Sequence, residues 1–278
     1  GSESSKSAPV TVFSREYTPP QSHYDDQTLD EGFGYMEMRD GVTLAHQVLL
    51  PSNHDPPYPT LVIYSGYEPS VNTVGQDVVE SMVVEEQGFA VVGVNMRGSA
   101  CSGGRFDFGE RLQMLDGYDA IETVAAQDWA DGVGMIGASF PGFTQLFVAA
   151  MQPPSLDAIA PGAPIGDFYR DTVYPGGMRN ATFASIWAGD RDSAFEPGGA
   201  SGNVDTRIEN GDEVCEANQK LSLQNEKMVD QMLANEYDAG LFEERGVSHL
   251  LADIEVPTML VTSWQDEQTG GRSARILE

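Results

Sequence analysis

The chain alternates short apolar runs with longer segments of mixed character, a pattern that predicts strands separated by helices. Apolar runs occupy residues 60–64, 89–95 and 156–161, and a fourth begins at Gly134. Their nearly continuous apolar character is typical of parallel strands that are buried on both faces. Helical segments are predicted at residues 76–87, 116–129 and 143–151. The alternation therefore predicts an α/β fold, with a mostly parallel sheet and helices on both faces.

Other stretches depart from this alternation. Residues 1–30 are polar and contain prolines, and we expect an extended N-terminal arm. Residues 35–38 and 42–50 flank a turn at 39–41, which predicts an antiparallel hairpin at the edge of the sheet. Residues 166–250 combine glycine-rich polar loops with acidic helical segments, which favours a helical cap inserted over the sheet.

The apolar pattern returns near the end of the chain. Residues 257–263 predict one more buried strand of the core. The predicted domains are an extended N-terminal arm at residues 1–30 and the first part of the core at residues 31–165. A helical cap insertion follows at residues 166–250, and the core resumes at residues 251–278, where it is truncated.

The stretch from Gly134 to Gly142 joins a short apolar strand to a helix through a tight turn with Ser139 at its tip. Strand, serine turn and helix in this order indicate a nucleophile elbow, whose sharp turn presents the serine hydroxyl. The second glycine is displaced by one place, to Gly142, by Pro141, which suits the first turn of a helix. Phe140 keeps the N–H that an oxyanion hole requires. Ser139 is therefore the predicted nucleophile, and the alternative is a surface serine in a glycine-rich turn.

Composition narrows the possible partners. The chain has 278 residues, 15 of them basic and 43 acidic, and a net charge of −28. So negative a chain argues against binding to nucleic acid or to acidic membrane surfaces. No run approaches 18 consecutive apolar residues, so no transmembrane helix is predicted. The charge suits a salty or extracellular setting, although a solvated surface explains scattered acidic residues equally well.

The two cysteines, Cys101 and Cys215, lie far apart and have no metal-ligand spacing, and we expect neither a metal nor a cofactor. Cys101 follows a predicted strand end, and Cys215 lies in the predicted cap. We predict a disulfide that joins cap to core, with two free thiols as the alternative. Such a link favours a secreted protein, because cytosolic chains rarely keep disulfides.

An acidic residue just beyond a late parallel strand is where an α/β-hydrolase carries the acid of its triad. The chain order in that fold is serine, acid, histidine. Asp266 fits this position, and Glu267 is the second choice. A solvent-facing loop aspartate is the alternative in so acidic a chain.

The chain also carries several short motifs of glycine, proline, aromatic and acidic residues. These motifs are Met38–Leu44, Arg97–Gly98 with Ser102–Gly104, the elbow, Ala160–Pro161, Asp167–Asp171, and Val256–Thr258 with Trp264–Asp266. Together they resemble the Xaa-Pro dipeptidyl-peptidase and cocaine-esterase group of acyl hydrolases. The resemblance covers roughly residues 35–172 and 254–272, and the cap between them is similar only in kind. It implies a serine hydrolase that cleaves small-molecule esters or peptide and amide bonds.

The resemblance also implies roles for individual residues. Ser139 would be the nucleophile and Asp266 the triad acid. Tyr67, in the loop after the strand at 60–64, would supply its phenol as the second oxyanion donor beside the Phe140 amide. From the residues alone, a tyrosine in a glycine loop is more often a packing residue. The family usually has tyrosine where this chain has Phe140, so substrate preference does not carry over.

The histidines depart from this scheme. The chain has four histidines, His23, His46, His54 and His249, and all of them precede Asp266. The fold places its base after the acid, where this chain has no histidine. The family would continue with a last strand and helix and a C-terminal β-sandwich. We therefore expect the C-terminal end of the fold to be missing from this chain. The catalytic histidine should lie in a further segment, in the same gene product or a separate chain, and His249 is the first alternative.

Two other functions remain open at this point. One is an α-amino-acid ester hydrolase or acylase rather than a dipeptidyl-peptidase. The other is a non-catalytic scaffold that kept the α/β-hydrolase fold and lost its base. Reaction with a fluorophosphonate distinguishes the scaffold from the enzymes, because only an activated serine reacts.

Overall fold

The computed structural model describes residues 18–68, 70, 78–199, 202–266 and 268–277. Six strands in this part of the chain form one mixed sheet. They are β1 Gly32–Glu37, β2 Thr43–Leu49, β3 Tyr58–Ser65, β4 Ala90–Asn95, β5 Ala130–Ala138 and β6 Leu156–Gly162. Their order across the sheet is β1-β2-β4-β3-β5-β6.

The sheet is mostly parallel. Strands β4, β3, β5 and β6 run in one direction, and the β1–β2 hairpin adds to β4 in the antiparallel sense at one edge. From β3, the chain continues to β4 on one side and then crosses to β5 on the other side. The strand order therefore reverses at the carboxyl end of β3, which is where ligands bind in open α/β sheets.

Helices cover both faces of the sheet. They are a π-helical segment that we number α2, Val79–Glu86, with α3 Arg111–Ala125 and α4 Phe140–Ala150. The helices α3 and α4 pack together on one face, where β4 contributes Val92 and Val94 to the main core. The α2 segment packs on the opposite face, against Ile63 and Val91. The predicted α/β architecture is thus confirmed, and its sequence signal was the continuous apolar character of these strands.

Short helices follow β6, in the region where the sequence predicts a cap. A π-helical turn occupies Phe168–Val173, and the α-helices are α5 Phe183–Ala194, α6 Gly202–Glu209, α7 Glu213–Leu221, α8 Met228–Ala234 and α9 Leu241–Arg245. The structure joins Cys101 of the core to Cys215 of α7 in a disulfide, the pairing that we expected. Beside it, the Asn218 amide donates to the Cys101 carbonyl at 2.9 Å. These links attach α7 to the loop that follows β4.

Two helix starts differ from the prediction, and polar residues explain one of them. Helix α3 begins at Arg111 rather than at residue 116. Its first turns bury the polar Gln113 and Asp116, so the buried face does not appear as an apolar stripe. Helix α4 begins at Phe140, directly after Ser139, rather than at residue 143.

The N-terminal arm is not wholly extended. Residues 1–17 lie outside the described part of the chain, but Ser22–Asp25 forms one helical turn, α1. Tyr24 of this turn is buried and donates its hydroxyl to Asp119 at 2.9 Å. A buried tyrosine with a carboxylate partner fixes this turn against α3.

The predicted buried strand at residues 257–263 is wrong in one respect. The segment pairs with β6 only through two parallel bridges, Ile159–Thr258 and Gly162–Val261. Met259 is 64% exposed and Val261 is 52% exposed. The apolar sequence thus lies where a strand belongs, but no described element covers its outer edge.

Candidate active site

Ser139 lies at the turn between β5 and α4 with φ 62° and ψ −121°. A non-glycine residue with positive φ is strained, and such strain persists where the surrounding structure enforces it. Here the Ser139 N–H donates to the Gly162 carbonyl of β6 at 2.8 Å. The Ser139 carbonyl accepts hydrogen bonds from the N–H groups of Gly142 and Phe143, both at 2.9 Å. This is the geometry of a nucleophile elbow, with the half-buried serine at its tip.

Gly142 explains why the displaced glycine still serves the elbow. A Cβ at this position would lie 2.2 Å from the Gly162 carbonyl oxygen. Because the first turn of α4 crosses so close to β6, only glycine fits. Pro141 occupies the second helical position, where its missing N–H costs little.

The amide of Phe140 is the first helical N–H of α4. The first N–H groups of a helix have no partner within it, and no described residue accepts from this one. They also lie at the positive end of the helix dipole. The Phe140 N–H can therefore donate to a developing negative charge on an acyl oxygen.

Tyr67 follows β3 and lies beside the elbow. Its N–H donates to the Ser65 hydroxyl at 2.9 Å, and its carbonyl accepts from the Asn95 amide at 2.8 Å. Its ring meets the ring of Phe140 edge to face, with centroids 5.6 Å apart. The structure therefore brings Tyr67 and the Phe140–Ser139 turn together at the carboxyl end of β3.

Three side chains for which the sequence predicted no role complete the wall around Tyr67. Trp187 of α5 donates its indole N–H to the Tyr67 hydroxyl at 3.1 Å. The guanidinium of Arg191 lies 4.9 Å from the centroid of the Tyr67 ring. Phe108 contacts both Phe140 and Trp187 through its ring. A tryptophan in a helix of mixed polarity carries no motif, so its spatial neighbour was not visible in the sequence.

Asp266 follows the segment that pairs with β6. This segment runs parallel to β6, and β6 runs parallel to β5. Asp266 and Ser139 therefore both lie beyond the carboxyl ends of the parallel strands. Its Oδ1 accepts the N–H groups of Gln268 and Thr269 at 2.9 and 2.7 Å. No hydrogen bond from a described residue reaches Oδ2, so that oxygen is available to orient a base. Glu267, the second choice, lies outside the described residues.

None of the four histidines serves Ser139 as a base within the described residues. His46 of β2 is separated from β5 by β4 and β3, a distance of about 14 Å at the usual strand spacing. Burial lowers the pKa of His46 to about 4, with a contribution from Arg207. His54 lies against Gly88, just before β4, at the amino ends of the parallel strands and so at the opposite end of the sheet from Ser139. No hydrogen bond connects any histidine, including His23 and His249, to Ser139 or Asp266.

The Arg97 loop is held by buried ion pairs. Arg97 contacts both oxygens of Asp116 on α3 at 2.5 Å and Asp40 of the hairpin turn at 3.0 Å. Burial raises the pKa of Asp116 to about 6 even though Arg97 opposes the shift. The motif therefore ties the hairpin, the loop and α3 together through the three guanidinium nitrogens of Arg97.

The described residues contain no group of three or more histidine, cysteine or acidic side chains arranged to hold a metal ion. Nor does this part of the chain include a helix long and apolar enough to cross a membrane.

A mostly parallel sheet with a strained serine between strand and helix defines an α/β-hydrolase fold. Within that class, the chain belongs to the X-Pro dipeptidyl-peptidase (S15) family, whose model matches residues 40–278. The family resemblance predicted from the motifs is thereby confirmed.

Individual proteins and solved structures are also similar to this chain. The chain is 35% identical over 154 residues to the cocaine esterase of Rhodococcus sp. strain MB1 Bresler, covering 54% of this chain and 26% of that protein. A CocE/NonD family hydrolase from Staphylococcus aureus matches with a TM-score of 0.62 and 23% identity, covering 82% and 39% of the two chains. An α-amino acid ester hydrolase matches with a TM-score of 0.65 and 18% identity, covering 94% and 47%. The chain thus spans about a quarter to a half of the length of these relatives.

Proposed function

We propose that the protein is a serine hydrolase that cleaves ester or peptide and amide bonds through an acyl-enzyme on Ser139. The observation that carries the proposal is the backbone of Ser139, with φ 62°, between β5 and α4. Glycine would adopt this backbone conformation without strain, so the structure alone gives no reason for a serine at this place. Family membership supports the same reaction class.

The oxyanion would be held by two donors. The Ser139 oxygen attacks the acyl carbon, and negative charge develops on the acyl oxygen. The Phe140 N–H follows the nucleophile in sequence, and the Tyr67 ring contacts the Phe140 ring edge to face, with centroids 5.6 Å apart. Preorganised donors of this kind stabilise the tetrahedral intermediate. Collapse of this intermediate breaks the ester or amide bond and releases the alcohol or amine, and the remaining acyl-enzyme then reacts with water to release the acid.

The base would come from a segment outside the described residues. It must accept the serine proton during attack and return it to the leaving group. Asp266, whose Oδ2 receives no hydrogen bond from the described residues, would orient it. The exposed apolar edge at Met259 and Val261 and the neighbouring apolar groove support such a segment. That groove is lined by Leu61, Gly134, Met135, Ile136, Ala158, Ile159, Ala160, Pro257, Thr258 and Met259. A histidine-bearing segment packed there would cover the groove.

The test compares residues 1–278 with the longest natural gene product, using a p-nitrophenyl ester and an aminoacyl-prolyl-p-nitroanilide. The longer protein should turn over at least one substrate, and Ser139→Ala should abolish that turnover. Residues 1–278 alone should be slower by about 10⁶-fold, the cost of removing a triad base. Equal activity of the two chains would contradict an external base and direct attention to His249. The substrate that is cleaved faster separates esterase from peptidase.

We also propose that the protein is secreted. The disulfide between Cys101 and Cys215 supports this location, because disulfides persist mainly in oxidising compartments. Fractionation of the native source should find the protein outside the cytosol, and a reduced cytosolic pool would contradict it.

A further inference from the structure

The hydroxyl of Tyr67 receives a hydrogen bond from the cap. The Trp187 Nε1 of α5 lies 3.1 Å from the Tyr67 oxygen. An indole N–H can only donate, so the phenol oxygen is the acceptor in this pair. The phenol proton is therefore not used by Trp187 and remains able to donate to another group.

A second residue of the same helix holds the ring. Arg191 lies four residues after Trp187, so both side chains project from one face of α5. Its guanidinium lies over the Tyr67 ring at 4.9 Å from the centroid, within the range of a cation–π contact. Two neighbouring turns of the cap thus contact Tyr67, one at its oxygen and one at its ring.

The hydrogen bonds from the core to Tyr67 reach only its backbone. Ser65 and Asn95 bind the Tyr67 N–H and carbonyl. No described residue other than Trp187 makes a hydrogen bond to the phenol oxygen. Trp187 thus occupies one acceptor position of the phenol oxygen and restricts the directions in which its proton can point.

We propose that Trp187 is a positioning residue for the oxyanion hole. Its indole N–H orients the Tyr67 hydroxyl toward the acyl oxygen and strengthens it as a donor, because hydrogen bonds in a chain polarise one another. The oxyanion hole is then complete only when α5 is seated on the core. This inference rests on the proposed function, in which Tyr67 is an oxyanion donor.

The test uses the full-length protein and a double-mutant cycle. Trp187→Phe removes the N–H and keeps an aromatic ring, and it should lower kcat about 5- to 10-fold with little change in KM. In a Tyr67→Phe background, which has no hydroxyl to orient, the same change should have no further effect. Trp129→Phe is the matched control. Trp129 also donates its indole N–H, to the Leu29 carbonyl at 3.2 Å, but at the opposite end of the sheet. This control should leave kcat unchanged.

Three results would overturn the inference. One is a normal kcat in Trp187→Phe while Tyr67→Phe is strongly impaired, which leaves the proposed function intact. Another is an equal loss from Trp187→Phe in both backgrounds, which indicates a packing role. The third is full activity in Ser139→Ala, which removes the proposed function and this inference with it. A loss confined to the background that retains the Tyr67 hydroxyl supports the inference.

Discussion

The contact between Gly142 and β6 gives the sharpest prediction for the elbow. The added methyl group of Gly142→Ala would lie 2.2 Å from the Gly162 oxygen and 3.2 Å from the Gly137 oxygen. Both oxygens belong to the backbone of the sheet, so they cannot rotate away. Carbon and oxygen atoms approach no closer than about 3.3 Å in ordinary contacts. The start of α4 must therefore move by about 1 Å.

This displacement acts on stability and on catalysis. Forcing a methyl group into a well-packed site costs about 1–3 kcal/mol of unfolding free energy. Moving the elbow by about 1 Å also misplaces Ser139 and the Phe140 N–H, and a shift of that size costs about 10²-fold in rate. We expect Gly142→Ala to lower both Tm and kcat. Thermal unfolding and ester hydrolysis by the full-length protein measure these effects.

Gly189→Ala in α5 is the matched control. A Cβ at Gly189 would meet only the Val229 side chain, at 3.9 Å. The same substitution in a helix with space should stabilise it by about 0.5–1 kcal/mol. A Gly142→Ala variant with unchanged Tm and kcat would show that α4 does not approach β6 as closely as described.

Three further predictions follow from single contacts. Tyr67→Phe should lower kcat by about 10²–10³, the usual cost of one oxyanion donor, and an unchanged kcat would restore a packing role for Tyr67. His46 is only 3% exposed and its pKa is lowered from 6.5 to about 4, so the unfolded chain binds the proton more readily. Stability should therefore fall as pH decreases from about 6.5 to 4, by up to about 3 kcal/mol. His46→Leu should lose this pH dependence, and an identical pH profile in the variant would contradict the assignment. Thiol titration in denaturant without reductant should find neither Cys101 nor Cys215 free, and two free thiols would refute the disulfide.

The sequence was most informative where local pattern and tertiary position agree. The apolar runs at 60–64 and 89–95 predicted central strands because parallel strands are buried on both faces. The spacing around Ser139 predicted its place at a strand end because glycine and proline have strict backbone requirements. The disulfide could also be predicted from the sequence, because Cys101 and Cys215 are the two cysteines of the chain and allow one pairing.

The features that the sequence could not supply depend on long-range contacts. Trp187 meets Tyr67 across a separation of 120 residues, and nothing in the local pattern of α5 marks that contact. The early start of α3 was hidden because its first turn buries the polar Gln113, where an apolar residue would have marked a helix. The exposure of Met259 could not be predicted either, because an apolar strand gives no sign of which segment covers it.

The central claim is that Ser139 is an activated nucleophile. The most direct measurement treats the full-length protein with a fluorophosphonate and locates the adduct by peptide mapping. A single adduct should form on Ser139, Ser139→Ala should remain unlabelled, and labelling should abolish ester or peptide hydrolysis. An adduct on a different residue, or unlabelled protein that still hydrolyses its substrate, would contradict the account.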